Sequence, residues 1–320
     1  MCSTTCLGEP TATEQAGAFA EGNGRGQPVA LDRTTRLQLA IAATRPSRGR
    51  AGLTRQARSI GVAAFYEVFE SLDPEAQANI AEEARALASQ NFTALIVGGE
   101  GYPTRLATVE GAPPVLFCRG PTELLTSAGI GICGSRNVTD EGLRAARVCG
   151  EAAAEEGLTV ISGYARGVDM ATHVEALKRG GRTIVVLPEG ITRFRVRRGD
   201  LAGVWDQSRV LVVSQFSPTQ PWSAGAAMAR NLVIFGLSLA LVVVEAGETG
   251  GTLAAGMHAL QVNRLVLALE FAETPRGNAM LLRRGAVPVR DRSELVAQLK
   301  NLVHDHDGKQ LSIPWPSQRG

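Results

Sequence analysis

Residues 129–173 read GIGICGSRNVTDEGLRAARVCGEAAAEEGLTVISGYARGVDMATH and contain two successive units of the same kind. Each begins with a short apolar run, Ile130–Cys133 in the first and Leu158–Ile161 in the second. A loop with glycine and arginine follows each run, and then a segment whose apolar residues recur at helical spacing. Continuous apolar runs of this length are typical of strands covered on both faces, as in parallel sheets. The stretch therefore predicts βαβ units.

The same alternation extends in both directions along the chain. Further apolar runs that predict strands lie at Ala94–Gly99, Pro113–Cys118, Thr183–Leu187, Val210–Val213, Ser238–Glu245, Leu265–Leu269 and Ala286–Val289. Helical patterns between strands lie at Asp140–Glu156, Val168–Arg179, Gly225–Phe235 and Leu253–Val262. We therefore predict an α/β fold with a doubly wound, mostly parallel sheet, that is, an extended Rossmann-like fold. Ligands of such sheets bind where loops leave the carboxyl ends of the strands.

Composition along the chain divides it into four predicted parts. Residues 1–28 are rich in Gly, Thr, Ala and Glu without an apolar period, which predicts a disordered tail. Residues 29–90 carry helical spacing and a helix start at Asp73-Pro74, which predicts a small N-terminal helical domain. The Rossmann-like domain is expected over residues 91–305, and a C-terminal tail over residues 306–320.

Composition also restricts the classes of function. The 33 Lys and Arg nearly balance the 31 Asp and Glu, so a net charge of +2 gives no global attraction for a polyanion. The five cysteines form no CxxC pair and no zinc-type cluster with histidine, so we predict reduced thiols and neither a metal nor a cofactor. A secretion signal and a membrane span are not recognisable, which favours a cytoplasmic protein.

Two loops at strand ends are candidate phosphate sites. The first reads Gly134-Ser135-Arg136-Asn137 and the second Ser162-Gly163-Tyr164-Ala165-Arg166-Gly167. Glycine lets the backbone approach a ligand, free amides at a helix start attract anions, and an arginine fork suits a phosphate. The alternative is that Gly and Ser serve turn geometry alone. His173, one helical turn further on, is expected to be a packing residue rather than a catalyst.

A third region, residues 191–198, places four arginines around one phenylalanine. Phe194 could stack on a base while Arg193 and Arg195 neutralise phosphates, a combination typical of single-strand binding. The alternative is a solvated basic loop with Phe194 packed underneath it.

Several motifs together resemble the bacterial DNA-processing protein A (DprA/Smf) family. They are GSR after one strand, SGxARGxDxxxH after the next, and the later segments Arg230-Asn231-Leu232, Gly236-Leu237-Ser238 and Glu245–Thr252. The chain departs from the family pattern at Ser214–Pro218 and at Ala227–Leu232, which indicates a divergent member.

The resemblance implies a Rossmann-like domain that binds single-stranded DNA, forms a homodimer and delivers the strand to a RecA-type recombinase, as in natural transformation. We expect Arg136, Arg166 and Arg230 to contact the sugar-phosphate backbone. We also expect Asn231 to bind the DNA or its phosphates. Further amides or hydroxyls for this contact are expected from Gly134, Ser135, Ser162, Gly163, Gly167, Gly250, Gly251 and Thr252.

Two other functions use the same architecture. A LOG-like nucleotide N-glycosidase resembles the chain at Gly250-Gly251-Thr252, but the carboxylate that its chemistry needs one turn later is replaced by Ala255. Glu245 and Glu248 remain as carboxylates near the same sheet edge. The third possibility is a nucleotide-sensing module, for example in phage defence, in which the same anion sites bind a small phosphorylated ligand.

Overall fold

The computed structural model describes the backbone of residues 31–45, 50–196 and 199–311. The strands are β1 (Phe92–Ile96), β2 (Val115–Arg119), β3 (Gly129–Cys133), β4 (Thr159–Ser162), β5 (Thr183–Val186), β6 (Val210–Ser214), β7 (Ala240–Val243), β8 (Leu265–Leu269) and β9 (Val287–Val289). The first helices are α1 (Arg33–Thr44), α2 (Arg50–Ile60), α3 (Ala63–Glu70), α4 (Pro74–Ser89) and α5 (Thr104–Ala107). They are followed by α6 (Asp140–Glu155), α7 (Val168–Lys178), α8 (Asp200–Val204), α9 (Ala224–Ala229), α10 (Asn231–Leu237), α11 (Gly251–Gln261), α12 (Arg276–Arg283) and α13 (Arg292–Leu311).

The strands form one nine-stranded sheet in the order β1-β2-β6-β5-β4-β3-β7-β8-β9. β2 pairs antiparallel with β1 and β6, and all other neighbours are parallel. The chain runs from β3 outward through β4, β5 and β6, and later continues from β7 on the other side of β3. The predicted doubly wound, mostly parallel sheet is confirmed. Its topological switch point, where ligands of such sheets bind, lies between β3 and β7.

The central strands are buried on both faces, which explains their continuous apolar sequences. All five residues of β3 are buried, and its two isoleucines pack into a cluster on the face covered by α6 and α13. The Cβ position of Gly131 faces the opposite side of the sheet. A Cβ atom there would lie 2.8 Å from the Ser238 hydroxyl oxygen and 3.3 Å from Ile234. Glycine therefore lets α10 approach β3 closely.

The N-terminal helices pack on the antiparallel end of the sheet. Leu37 of α1 and Ile80 of α4 are fully buried in the hydrophobic cluster that also contains β1 and β2. The Asp73 side chain accepts a hydrogen bond from the Ala76 amide and caps α4, so the helix start predicted at Asp73-Pro74 is confirmed. The division into two domains at residue 90 stays a prediction. The tail predicted over residues 1–28 lies outside the described residues.

Two predicted boundaries differ from the structure. The helix expected over Gly225–Phe235 is two short helices, α9 and α10, which meet at Arg230. α13 continues to Leu311 and so includes the start of the tail predicted over residues 306–320. Its anchoring residues Leu295 and Leu299 are buried, and the rest of that predicted tail, residues 312–320, is outside the described part of the chain. Across 31–45, 50–196 and 199–311, the structure contains no helix with the length and hydrophobicity needed to cross a bilayer.

Candidate functional site

The carboxyl ends of β3, β4 and β7 border a cavity of about 470 Å³ at the switch point of the sheet. Its walls come from the loop after β3, from α9, and from the loop that joins β7 to α11. The residues that line it include Gly134, Ser135, Arg136, Asp169, Trp222, Met228, Arg230, Asn231, Gly251 and Thr252. The cavity lies where a doubly wound sheet binds its ligands.

The loop after β3 holds Arg136 at the rim. The Ser135 amide donates to the Glu245 carbonyl oxygen at 2.8 Å, which ties this loop to the end of β7. The Ser135 hydroxyl accepts a hydrogen bond from the Asn137 amide at 3.1 Å and shapes the turn. At Gly134 a Cβ atom would collide with the Val168 side chain. The Arg136 side chain is exposed, and its guanidinium carbon lies 5.8 Å from the centre of the Trp222 ring.

The loop after β4 interlocks with the loop after β3. Gly167 has φ +79°, and a Cβ atom there would lie 2.5 Å from the Ser135 carbonyl oxygen. Arg166, next to it, is exposed. Ser162 was predicted to offer an amide or a hydroxyl to a ligand, but it is fully buried and its hydroxyl donates to the Ile132 carbonyl oxygen at 2.6 Å. The hydroxyl part of that prediction is wrong because the hydroxyl bridges β4 to β3 instead, and the amide part stays a prediction.

A buried ion pair supports the loop after β4. The Arg230 guanidinium donates to the Asp169 carboxylate at 3.1 Å, and their side chains are only 7% and 5% exposed. The same carboxylate accepts from the Ala165 amide at 3.3 Å. Gly163 lies directly against the guanidinium, so a Cβ atom there would collide with it. Arg230 therefore contacts Asp169, and direct contact of Arg230 with a phosphate stays a prediction.

His173 fixes the other side of Gly163. It is fully buried, with Nε2 2.6 Å from the Gly163 carbonyl oxygen and Nδ1 2.6 Å from the Thr183 hydroxyl oxygen. Because Gly163 O can only accept, Nε2 carries a proton. Burial lowers the pKa of the imidazole below its ordinary value. The predicted packing role of His173 is confirmed.

The structure brings the three predicted backbone-contact arginines together. Arg136, Arg166 and Arg230 line one cavity of about 200 Å³, which shares Arg136, Trp222 and Arg230 with the larger cavity beside it.

The acidic groups near this rim have partners. The Glu189 carboxylate lies 3.7 Å from the Arg193 guanidinium, and the Asp169 carboxylate is paired with Arg230. The Glu245 carboxylate accepts from the Thr139 amide and from the Thr139 hydroxyl, at 3.1 and 2.8 Å. These partners reduce the repulsion that the carboxylates would exert on an anionic ligand.

The start of α11 supplies backbone amides to the larger cavity. Gly250 precedes the helix with φ +106°, and Gly251 and Thr252 form its first turn and line the cavity. The first amides of a helix have no intrahelical acceptor, and the helix dipole favours an anion there. The Asn231 side-chain amide donates to the Gly251 carbonyl oxygen at 3.2 Å and holds this turn against α10.

The basic loop over residues 191–198 differs from its predicted role. Phe194 is 4% exposed and packs against two rings. Its ring centre lies 5.1 Å from that of Tyr164 and 5.6 Å from that of Trp205. The predicted stacking of a base on Phe194 is therefore wrong, and the alternative of a packed phenylalanine is correct. Arg193 and Arg195 are exposed, although Arg195 also donates to two carbonyl oxygens of its own loop. Arg197 and Arg198 lie outside the described residues.

Sequence reasoning missed two exposed apolar side chains of the larger cavity. Trp222 is 50% exposed and Met228 is 57% exposed, whereas large apolar residues elsewhere are mostly buried. The available signal was a tryptophan, one of three in the chain, placed after Pro221 in a segment without strand or helix periodicity.

The comparisons with known proteins agree with the fold. Residues 93–300 match the family model described as DNA recombination-mediator protein A. Protein Smf of Escherichia coli K12 is 31% identical over 248 residues, which cover 72% of this chain and 66% of that protein. The chain spans 57–66% of the length of the first curated relatives it matches.

Two solved structures share the architecture. The X-ray structure of DNA processing protein A from Streptococcus pneumoniae superposes with a TM-score of 0.66 at 22% identity, covering 84% of this chain and 99% of that one. A structure of DNA processing protein A from Helicobacter pylori, described by its single-stranded DNA binding mode, superposes with a TM-score of 0.57 at 21% identity. The superposition covers 66% of this chain and 96% of that one. Since the family model matches almost two thirds of the 320 residues, the chain belongs to the DNA recombination-mediator protein A (DprA/Smf) family.

Proposed function

We propose that this protein binds single-stranded DNA along the rim formed by the carboxyl ends of β3, β4 and β7. The observation that carries the proposal is that Arg136, Arg166 and Arg230 line one cavity, and that the larger cavity beside it reaches the first turn of α11. Guanidinium groups and helix-start amides bind phosphate oxygens without reading a base. Two adjoining cavities suit a chain of linked phosphates better than one small anion.

Membership of the family supports a role in DNA processing, and the Helicobacter pylori relative is described as binding single-stranded DNA. We extend the proposal to protection of incoming or displaced strands and to delivery of the strand to a RecA-type recombinase. The family's description as a recombination mediator supports that step. Action as a homodimer in the cytoplasm, and a role in natural transformation, belong to the same proposal.

The geometry gives less support to the N-glycosidase alternative. The Glu245 carboxylate accepts hydrogen bonds from Thr139 at the start of α6, and Glu248 forms an ion pair with Arg276. Ala255, at the position where the related mechanism needs a carboxylate, is buried. Burial raises the pKa of the Cys133 thiol at the cavity wall to about 12, so this group is not a thiolate nucleophile near neutral pH.

The test is fluorescence anisotropy of labelled oligo-dT of increasing length, at several salt concentrations, with mononucleotides as competitors. Each phosphate contact on a single strand contributes about 0.7 to the slope of log affinity against log salt. Arg136→Ala and Arg166→Ala should each reduce that slope by about 0.7. The matched control is Arg85→Ala, which removes an exposed arginine of α4 that lines neither cavity.

Unchanged slopes in both rim variants would remove the arginines from the interface. Affinity that does not rise with oligonucleotide length, together with saturable mononucleotide binding, would support the sensing module instead. Release of free base from a nucleotide would support the glycosidase.

A further inference from the structure

Trp222 is the largest exposed apolar side chain at the rim. Its ring is half exposed and lines both the larger cavity and the cavity shared by the three arginines. Tyr164, Phe194 and Trp205, by contrast, pack against one another beneath the neighbouring loop. Exposed Met228 lies on the wall of the same larger cavity, and an exposed apolar surface rimmed by polar residues is typical of a ligand-binding groove.

The surroundings of the ring fit a nucleobase. The Arg136 guanidinium lies over the indole at 5.8 Å, within the range of a cation–π contact. A nucleotide bound here could therefore place its phosphate near Arg136 and its base against the indole. Met228, also exposed on the cavity wall, adds a polarisable thioether to the same apolar surface.

We propose that Trp222 stacks on an unpaired base of the bound strand and thereby makes the rim selective for single-stranded over duplex DNA. This inference rests on the function proposed above. In a duplex both faces of each base are covered by its neighbours, so only an unpaired base can offer a face to the indole. Phosphate contacts alone would bind either form, because they do not involve the bases.

The experiment compares Trp222→Ala with Trp222→Phe, which keeps an aromatic face. The ligands are oligo-dT, an abasic oligonucleotide of equal length, and a duplex. Loss of one stacked base should weaken oligo-dT binding about tenfold in Trp222→Ala and much less in Trp222→Phe. Affinity for the abasic strand and for the duplex should stay within about twofold, and the salt slope should not change because the phosphate contacts remain.

Fluorescence supplies a second readout. Since the chain has three tryptophans, Trp205→Phe combined with Trp315→Phe leaves Trp222 as the sole indole. Oligo-dT should quench its emission, and the abasic strand should quench it far less. Equal quenching by both strands would overturn the inference.

The remaining outcomes separate this inference from the proposed function. Trp222→Ala that binds oligo-dT like the wild type, while Arg136→Ala binds weakly, overturns the stacking role alone. A reduced salt slope in Trp222→Ala would mean that the ring only positions Arg136. Dissociation of a dimer by Trp222→Ala, measured by light scattering, with unchanged strand affinity would assign the ring to a second copy of the chain. A wild-type protein that binds no strand would overturn the proposed function itself.

Discussion

The buried pair Arg230–Asp169 allows a quantitative test of how the rim is supported. The perturbation consists of Asp169→Ala, Arg230→Met and the two changes together. Methionine is chosen because it keeps an unbranched apolar chain of similar reach without a charge. The prediction is that each single change is strongly destabilising and that the double variant is less destabilised than the sum of the two.

The magnitude follows from the burial of both groups. With side chains 7% and 5% exposed, removal of one partner leaves the other charge out of water, which costs about 3–5 kcal/mol of the free energy of unfolding. Asp169→Ala also removes the acceptor of the Ala165 amide, worth about 1–3 kcal/mol. In the double variant no unpaired charge is buried, and the main remaining loss of stability comes from the Ala165 amide, which has lost its acceptor. The coupling between the two sites should therefore exceed about 2 kcal/mol.

The assay is urea unfolding at pH 7 followed by circular dichroism, with the midpoint and the m-value fitted separately. The control cycle uses the pair Arg179–Glu151, in which the guanidinium lies 2.5 Å from the carboxylate. The two side chains are 48% and 23% exposed. Its coupling should stay below about 1 kcal/mol, because water screens surface ion pairs. Losses at Arg230 and Asp169 that add within about 0.5 kcal/mol would show that neither buried charge depends on the other.

Two further predictions concern the residues around Gly163. Gly163→Ala should lower the free energy of unfolding by about 1–3 kcal/mol, because its Cβ atom collides with the Arg230 guanidinium, whereas Gly203→Ala, in open space within α8, should not destabilise. His173 is buried with a lowered pKa, so as pH falls below about 6.5 the unfolded state takes up a proton that the folded state does not. Wild-type stability should fall by up to about 1.4 kcal/mol per pH unit in that window, and His173→Gln should have a shallower pH dependence in the same urea measurement; equal slopes would contradict the assignment.

The fold could be predicted from the sequence because the sheet is covered on both faces. That burial favours largely apolar sequence in the central strands, and every one of the nine predicted strands is present. The break between α9 and α10 could not be predicted in this way. At Arg230 the helical pattern continues, and the buried partner that holds its side chain, Asp169, lies 61 residues away.

The candidate site was predictable to a similar degree. Arg136 and Arg166 could be assigned to one rim because both follow parallel strands, whose carboxyl ends meet at the same edge. The burial of Phe194 could not be inferred, since it depends on Tyr164 and Trp205, which lie far from each other in sequence. A basic loop around an aromatic residue has the same composition whether its ring is exposed or packed.

The glycines of the rim divide into two groups with different consequences for binding. Gly134, Gly163 and Gly167 each lack room for a Cβ atom, because they press against the side chain of Val168, the Arg230 guanidinium and the carbonyl group of Ser135. Their absence of a side chain is already explained by loop packing, so it is not evidence for an approaching ligand.

Gly251 differs, because the nearest atom to a Cβ there would be 3.7 Å away, whereas Gly250 before it has open space around it but needs glycine for its φ of +106°. Gly251 begins α11 and lines the larger cavity, so we expect the backbone amides of the proposed phosphate site there rather than in the loops after β3 and β4. The interlocked loops then place Arg136 and Arg166 at the rim. The strand of the proposed function would then follow a path from the start of α11 past Trp222 to the exposed arginines.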